Sequence, residues 1–261
     1  MFKVSVLASG SKGNCLIVRS REHAVILDAG IPLKRIFGAL ERLSIDRSLI
    51  RGILVSHEHS DHTGSVGALS RNLKIPVFIT RDTLMCASNK LGNLYDRFWI
   101  MKNGESFELG DILIHPFRSS HDAIDSSNFT FQHLDIPGLK LGVATDLGFP
   151  IKTTLFHLSG CSTLVLESNH DLPMLMNGRY EWFLKQRIKD DKGHLSNEQA
   201  VGLVSQIIHP GLRQLILAHL SEENNRPEIA YETMNSYLKT IRSDVRLMIA
   251  SQDYETELLD I

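Results

Sequence analysis

Short apolar runs rich in valine, isoleucine and leucine recur along the chain: "FKVSVLA", "CLIVRS", "AVILDAG", "RGILVSH", "PVFIT", "DILIHPF", "NFTFQHL", "LKLGVATD", "STLVLES", "QLILAHL" and "VRLMIAS". Bounded by polar and turn residues, they read as buried strands. Between them lie longer stretches whose apolar positions recur every three or four residues: "PLKRIFGALERL", "GSVGALSRNL", "TRDTLMCASNKL", "PIKTTLFHLSG", "LPMLMNGRYEWFLKQRI", "SNEQAVGLVSQII" and "RPEIAYETMNSYLKTI". That period predicts helices. The order predicts α/β layering, with hairpin-linked strands early in each half and strand–helix alternation later. An internal echo points to two similar halves: "AVILDAG" resembles "TLVLESN", and "ILVSHEHSDH" resembles "LILAHLSEENN".

No linker, low-complexity stretch or long run of like charge divides the 261 residues, and 43% of them are apolar. One globular domain over residues 1–261 is therefore expected. The net charge of −2 gives no overall field for nucleic-acid binding, which would have to rest on a local patch. Three cysteines (Cys15, Cys86, Cys161), none in a C-x-x-C pair, suit reduced thiols better than a disulfide framework. The first apolar run is too short for a signal peptide, and nowhere do eighteen apolar residues run together. A cytoplasmic protein without a membrane partner is expected.

"VSHEHSDHTG" changes the picture, because it puts His57, His59, Asp61 and His62 within six positions. It follows the run "GILV", so it lies where a buried strand emerges into a loop, the usual place for reactive groups on an α/β scaffold. Histidine with aspartate is a standard ligand set for zinc-like ions. His57 and His59, two apart, point the same way in extended chain, whereas Asp61 and His62 follow the turn, which splits the four between two neighbouring metals. Three later donors sit in the same setting, an apolar strand running into a polar group: His121 in "FRSSHDA", Asp146 in "GVATDLG" and His219 in "LILAHLS". His23, His115, His133, His157 and His209 lack such company and read as surface or structural residues.

HxHxDH followed in order by His121, Asp146 and His219 resembles the metallo-β-lactamase-fold hydrolases, whose fold is a four-layer αββα sandwich with metals at one edge of the sheets. The resemblance runs from "ILDAG", whose Asp28 would orient the ligand loop, to His219. It implies that His57, His59 and His121 hold one metal, that Asp61, His62 and His219 hold the other, and that Asp146 bridges. It also implies a shared hydroxide as nucleophile. Zinc and manganese both suit such a site, and the sequence does not choose between them.

The fold hosts many chemistries, so the substrate must be read from other residues. His59 stands where the flavodiiron branch has glutamate, which argues against iron redox chemistry. "DKGHLSNEQA" is similar to a stretch of tRNA 3′-processing nucleases of this fold, and aligns His194 with a histidine implicated there in leaving-group chemistry. Glu167 in "LVLESNHD" would polarise His194. Ser196 and Gln199 are spaced as a capping box, and the helix start at Ser196 and Asn197 is a candidate phosphate cradle. His121 and Asp146 are only 25 residues apart, too few for a tRNA-gripping arm. "GSKGN", "ESNHD", "GHLSN" and "HLSEENN" together resemble the compact YycJ/WalJ-type branch, which implies 5′-to-3′ exonuclease activity on DNA.

Asp61, His194 and Glu167 are thus the expected catalytic residues of a two-metal phosphodiesterase. The Gly-rich turn carrying Ser11 and Asn14, and the basic run Lys185, Arg187, Lys189 and Lys192, are candidates for gripping phosphate. Asn169, His170, Asn224 and Asn225 are candidate supports for the ligands. The competing reading is a hydrolase of small thioesters, lactones or cyclic phosphodiesters, which the neutral-to-acidic charge suits better.

Overall fold

A computed structural model describes residues 1–261. In the first half, β1 (Lys3–Ala8), β2 (Cys15–Arg19) and β3 (Ala24–Leu27) pair antiparallel. After α1 (Leu33–Arg42) the chain adds three parallel strands: β4 (Ile50–Leu54), β5 (Val77–Ile79) and β6 (Phe98–Ile100). Helices α2 (Ser60–Thr63) and α3 (Val66–Leu73) lie between β4 and β5, and α4 (Arg81–Leu91) precedes β6.

The second half repeats this plan. β7 (Phe107–Leu109), β8 (Ile112–Arg118), β9 (Ser127–His133) and β10 (Ile136–Ala144) pair antiparallel. Then α5 (Lys152–Leu158) leads to β11 (Thr163–Glu167), and α6 (Leu172–Asn177), α7 (Trp182–Lys189) and α8 (Asn197–Ile207) lead to β12 (Gln214–Ala218). Finally α9 (Pro227–Thr240) leads to β13 (Arg246–Ile249), with β10 to β13 all parallel. The last strand, β14 (Leu259–Asp260), returns to pair antiparallel with β1, as β7 pairs with β8. The sheets are therefore β14-β1-β2-β3-β4-β5-β6 and β13-β12-β11-β10-β9-β8-β7.

Period-two alternation sorts the strand residues into layers. Val4, Val6, Leu16, Val18, Val25, Leu27 and Leu54 of the first sheet pack with Ile112, Ile114, Phe129, Phe131, Leu141, Val143 and Val165 of the second. The alternate residues Ile17, Ile26, Ile53 and Val55 face Ile36 and Leu40 of α1, Leu69 of α3 and Leu91 of α4. Leu164, Leu166, Leu215 and Leu217 face Leu203 and Val204 of α8 and Met234 and Leu238 of α9. Three apolar layers between four structural ones give the αββα order that the family resemblance implied. Each fully buried leucine, isoleucine or phenylalanine contributes roughly 1.5–3 kcal/mol.

Helix starts follow their side chains: Thr80 accepts from the Thr83 amide, Asp171 from Met174, and Ser196 and Gln199 form the reciprocal capping box. The structure differs from the sequence reading in one stretch, where the single expected helix over "LPMLMNGRYEWFLKQRI" is two, α6 and α7. Gly178 marks the break, where a Cβ would stand 2.7 Å from the Met174 carbonyl. The freed carbonyls of Met176 and Gly178 accept instead from the Lys185 ammonium. Strands β6, β7 and β14, of three residues or fewer, were not visible as apolar runs.

The internal echo also needs shifting by one strand. By sheet position β3 corresponds to β10 and β4 to β11, so the true counterpart of "ILDAG" is "VATDLG" and that of "ILVSHE" is "LVLESN". The chain turns identically at the first pair, since Asp28 and Asp146 both have positive φ, 58° and 53°.

Candidate metal centre

The parallel strands β3, β4, β10, β11 and β12 end on the same edge of the sandwich, and every sequence-predicted donor leaves from that edge or the β8–β9 loop. Past β4 the chain carries His57 and then His59, the residue that caps α2, so Asp61 and His62 fall on the following helical turn. This is the division the spacing predicted.

One turn of α2 is held close by Gly30. A Cβ on Gly30 would lie 1.6 Å from the Asp61 carbonyl oxygen, so only glycine lets the two backbones meet. The Asn14 amide donates to the Asp61 carbonyl at 2.7 Å, and the Ala29 amide donates to that of His62 at 2.9 Å.

His57, His59 and His121 bring ring nitrogens together: His57 Nε2 lies 3.0 Å and His121 Nε2 3.4 Å from His59 Nδ1. Asp61, His62 and His219 form a second group, and His57, His62 and Asp146 a third that joins the two. Asp146 lies between them, with Oδ2 3.3 Å from His62 Nε2 and Oδ1 3.2 Å from His219 Nδ1 and 3.7 Å from His121 Nε2. Asp28, Asp146 and His219 (φ 55°) all adopt the left-handed conformation at a strand end. That conformation costs roughly 1–2 kcal/mol per residue and persists where the surroundings over-determine it.

Hydrogen bonding decides which lone pairs are free. The Gly193 carbonyl can only accept, so His121 donates to it from Nδ1 at 3.2 Å. Ser56 Oγ donates to Asp28 at 2.7 Å and so accepts from His57 Nδ1 at 3.0 Å. His62 donates from Nδ1 to Asp28 at 2.7 Å, and Asp28 also accepts from the Ser56 amide. Each of these three rings therefore engages Nδ1 and turns Nε2 toward the centre, where its lone pair serves a cation once the ring is neutral. Meanwhile Asp146 Oδ2 and His219 Nδ1 are buried and make no hydrogen bond at all. Free imidazole nitrogens and unsatisfied carboxylate oxygens, grouped within 4.8 Å, fit divalent cations.

The electrostatics agree. Burial, with help from His62, pushes His57 well below the usual histidine range, and burial with His121 lowers His59. Burial acts to raise Asp61 and Asp146, but the neighbouring histidines outweigh it and hold both carboxyls below the usual range. His57 and His59 are thus available and the carboxylates charged. At His62, by contrast, burial is outweighed by Asp146 and Asp28, which raise the ring well above the usual histidine range in the metal-free protein, so a cation there displaces a proton.

Glu167 closes the deep wall. Its Oε2 accepts from the Leu147 and Leu195 amides at 2.8 and 3.2 Å, and its Oε1 meets His194 Nδ1 at 2.7 Å and His219 Nδ1 at 3.2 Å. Burial opposes protonation of His194, yet Glu167 wins and raises it to about 9. His194 lines a cavity of about 270 Å³ together with His59, Asp61, His121, Asp146 and His219. Ser11 lies at its mouth, and Asn169 lines it while donating to the His219 carbonyl at 2.8 Å.

Three expected phosphate contacts are placed elsewhere. Asn14 is buried beneath the loop: its Oδ1 accepts from the Gly10 amide, and its Nδ2 faces Asp61 and His62 at 3.3 and 3.0 Å. The Ser196 amide is consumed by the Gln199 side chain and that of Asn197 by the His170 carbonyl. Asn197 is fully buried in a network with Ser168 and Asn225, so the start of α8 is not an open cradle. His170 is buried too, lowered by burial to about 4, and joins none of the donor groups. Of the basic run, only Arg187 lines the cavity.

Sequence reasoning missed Ser56, Gly30 and Asp122. Ser56 precedes the first histidine and Asp122 adjoins His121, so adjacency to a ligand was the signal; Asp122 Oδ1 comes within 3.4 Å of His121 Nε2.

Comparison with known proteins bears on this geometry. The Metallo-beta-lactamase superfamily model matches residues 8–172. Exodeoxyribonuclease YycJ of Bacillus anthracis is 36% identical over 90% of this chain and 88% of its own length. Exodeoxyribonuclease WalJ of Streptococcus pneumoniae is 33% identical over 100% of this chain and 98% of its own. Among solved structures, the metallo-beta-lactamase fold protein YhfI from Bacillus subtilis has a TM-score of 0.72 at 16% identity, covering 98% of this chain and all of that one. No helix is long and apolar enough to cross a membrane. The chain belongs to the metallo-β-lactamase superfamily and is a metal-dependent hydrolase.

Proposed function

We propose that this chain is a two-metal phosphodiesterase that degrades DNA from its 5′ end, with residues 1–261 as one catalytic domain. The observation that carries the reading is the His194–Glu167 pair set against the donor cluster in one cavity. Supporting it, full-length relatives are named exodeoxyribonucleases.

His57, His59 and His121 would hold one cation and Asp61, His62 and His219 the other, with Asp146 between them. Zinc and manganese both suit these donors. Bound there, the cations supply positive charge to the phosphate and acidify water toward neutral pH. The chain's own residues do the rest. Asp28 fixes the His62 ring and, through Ser56, the His57 ring. With Nδ1 engaged by Glu167, His194 carries its transferable proton on Nε2, and at neutral pH the ring is charged. It hands that proton to the departing alkoxide oxygen, while Glu167 stabilises the cation before the transfer and keeps the ring in place.

The test incubates metal-loaded protein with end-labelled, 5′-phosphorylated DNA, bis-p-nitrophenyl phosphate and a panel of thioesters. Stepwise loss from the 5′ end is expected, and replacing His194 with alanine should slow turnover by roughly 10²–10⁴-fold at unchanged metal content. Thioester hydrolysis with inert phosphodiesters overturns the nuclease reading. Unaltered turnover in His194→Ala removes the proton-donor role alone.

A further inference from the structure

No residue of α7 is buried, although it lies at the edge of the metal cavity. A helix retained to fill a core shows an apolar stripe turned inward. Here Tyr180, just before the helix, and Leu184, Arg187 and Ile188 within it line the cavity. Arg187 and Ile188 stand three and four residues after Leu184, which puts the three on one helical face, and Tyr180 joins them from the segment before the helix. Phe183 stands four residues before Arg187, hence beside it on the rim, and the phenylalanine is 73% exposed.

The charged partner on this face is held ready. Asp122 accepts from Arg187 Nε at 2.5 Å, while the two terminal amino groups of the guanidinium donate to nothing in the protein. The far end of α7 reaches the chemistry directly, since the His194 amide donates to the Ile188 carbonyl at 2.9 Å. Gly193 permits that contact, because a Cβ there would lie 2.2 Å from the same carbonyl oxygen.

We propose that α7 is the platform for a single-stranded DNA end: bases stack on Phe183 and Tyr180, and Arg187 receives a backbone phosphate through its two free amino groups. This deepens the nuclease reading and rests on it. An exposed phenylalanine and a half-buried tyrosine flanking a guanidinium are what an unpaired strand can use, because its base faces are open and its phosphates regularly spaced. A paired duplex hides those faces. The platform leads the strand past Arg187 into the cavity where His194 stands.

The test measures KM and kcat on 5′-phosphorylated single-stranded oligonucleotides for wild type, Phe183→Ala, Phe183→Tyr, Arg187→Gln and Trp182→Ala, each normalised to bis-p-nitrophenyl phosphate turnover of the same preparation. Trp182 is 63% exposed and falls on the opposite side of the helix, so its loss controls for general damage to α7. A rise in KM of roughly tenfold for Phe183→Ala at near-constant kcat is expected, with recovery in Phe183→Tyr and wild-type behaviour in Trp182→Ala. Arg187→Gln should raise KM and flatten its dependence on salt. If wild type degrades the strand and Phe183→Ala shows the same KM, the platform is wrong and the nuclease reading stands. If wild type leaves every single-stranded oligonucleotide intact, the platform falls, and the nuclease reading falls with it only when the same preparation also leaves 5′-phosphorylated duplex DNA intact.

Discussion

Gly30→Ala is the most exacting perturbation of the ligand loop. The new methyl carbon would be placed 1.6 Å from the Asp61 carbonyl oxygen and 2.9 Å from the Asn14 nitrogen. A carbon and an oxygen come no closer than about 3.3 Å without strain, the distance of a weak C–H···O contact. The first turn of α2 must therefore retreat by more than an ångström. Four backbone hydrogen bonds knit this region: Asn14 to Asp61, Ala29 to His62, Gly30 to Asn14 and Ser65 to Ala29, all between 2.7 and 2.9 Å. Breaking two of them, at about 0.5–1.5 kcal/mol each, gives a destabilisation of roughly 1–3 kcal/mol. The same retreat carries Asp61 and His62 away from His219 and Asp146, and a displacement of about 1 Å at a reacting centre costs on the order of 10²-fold in rate. Gly202→Ala in α8 is the counterpart: nothing lies within 4 Å of its Cβ position, so helix propensity alone acts and stability rises by about 0.5–1 kcal/mol. Denaturant titration, elemental analysis and phosphodiesterase turnover read all three quantities. A Gly30→Ala protein with wild-type stability and turnover refutes the close-approach argument.

Other outcomes follow from the same geometry. In EDTA-treated protein, the His194 ring, followed by NMR, should titrate near 9, and Glu167→Gln should move it down. Because the folded value lies above the ordinary 6.5, this pairing stabilises the metal-free protein fully below about pH 6.5 and is lost as pH rises through about 9. A metal-free stability curve with the same slope in Glu167→Gln over that window contradicts the assignment. Asp28→Ala frees His62 Nδ1 and unseats Ser56, so competition against a chelator should show metal affinity reduced by roughly 10–100-fold; an unchanged affinity means Asp28 does not orient the ligands. Phe131→Ala, fully buried between the sheets, should cost about 3–5 kcal/mol in denaturant titration, and a loss under 1 kcal/mol would show the inter-sheet layer to be loosely packed.

How far the sequence reached depends on whether a feature is local. The α/β layering and eleven strands were legible because burial on one or both faces imposes a pattern within a few residues, while the αββα order came from the family resemblance carried by HxHxDH, His121, Asp146 and His219. The donor set was legible for the same reason: HxHxDH is dense, and His121, Asp146 and His219 each end or follow an apolar run. Asn14 and Asn197 failed because the free hydrogen-bonding capacity of a group depends on distant partners, whereas the Ser196 amide is consumed locally by the capping box with Gln199. Asp61 and His62 claim Asn14, and His170 and Asn225 claim Asn197, none of them near in sequence. The internal echo failed in a more instructive way. Apolar similarity aligned β3 with β11, whereas sheet position aligns β3 with β10, and only the second pairing superposes Asp28 on Asp146. Those two aspartates share a backbone turn yet differ in company. Asp28 spends its oxygens on Ser56 and His62, while Asp146 keeps Oδ2 unbonded between the two donor groups. One strand-end turn, used twice, thus yields an orienting carboxylate in one half and a buried, unbonded lone pair in the other. What separates them is the hydrogen bonds that Ser56 supplies, which is why the two roles could be told apart only in three dimensions.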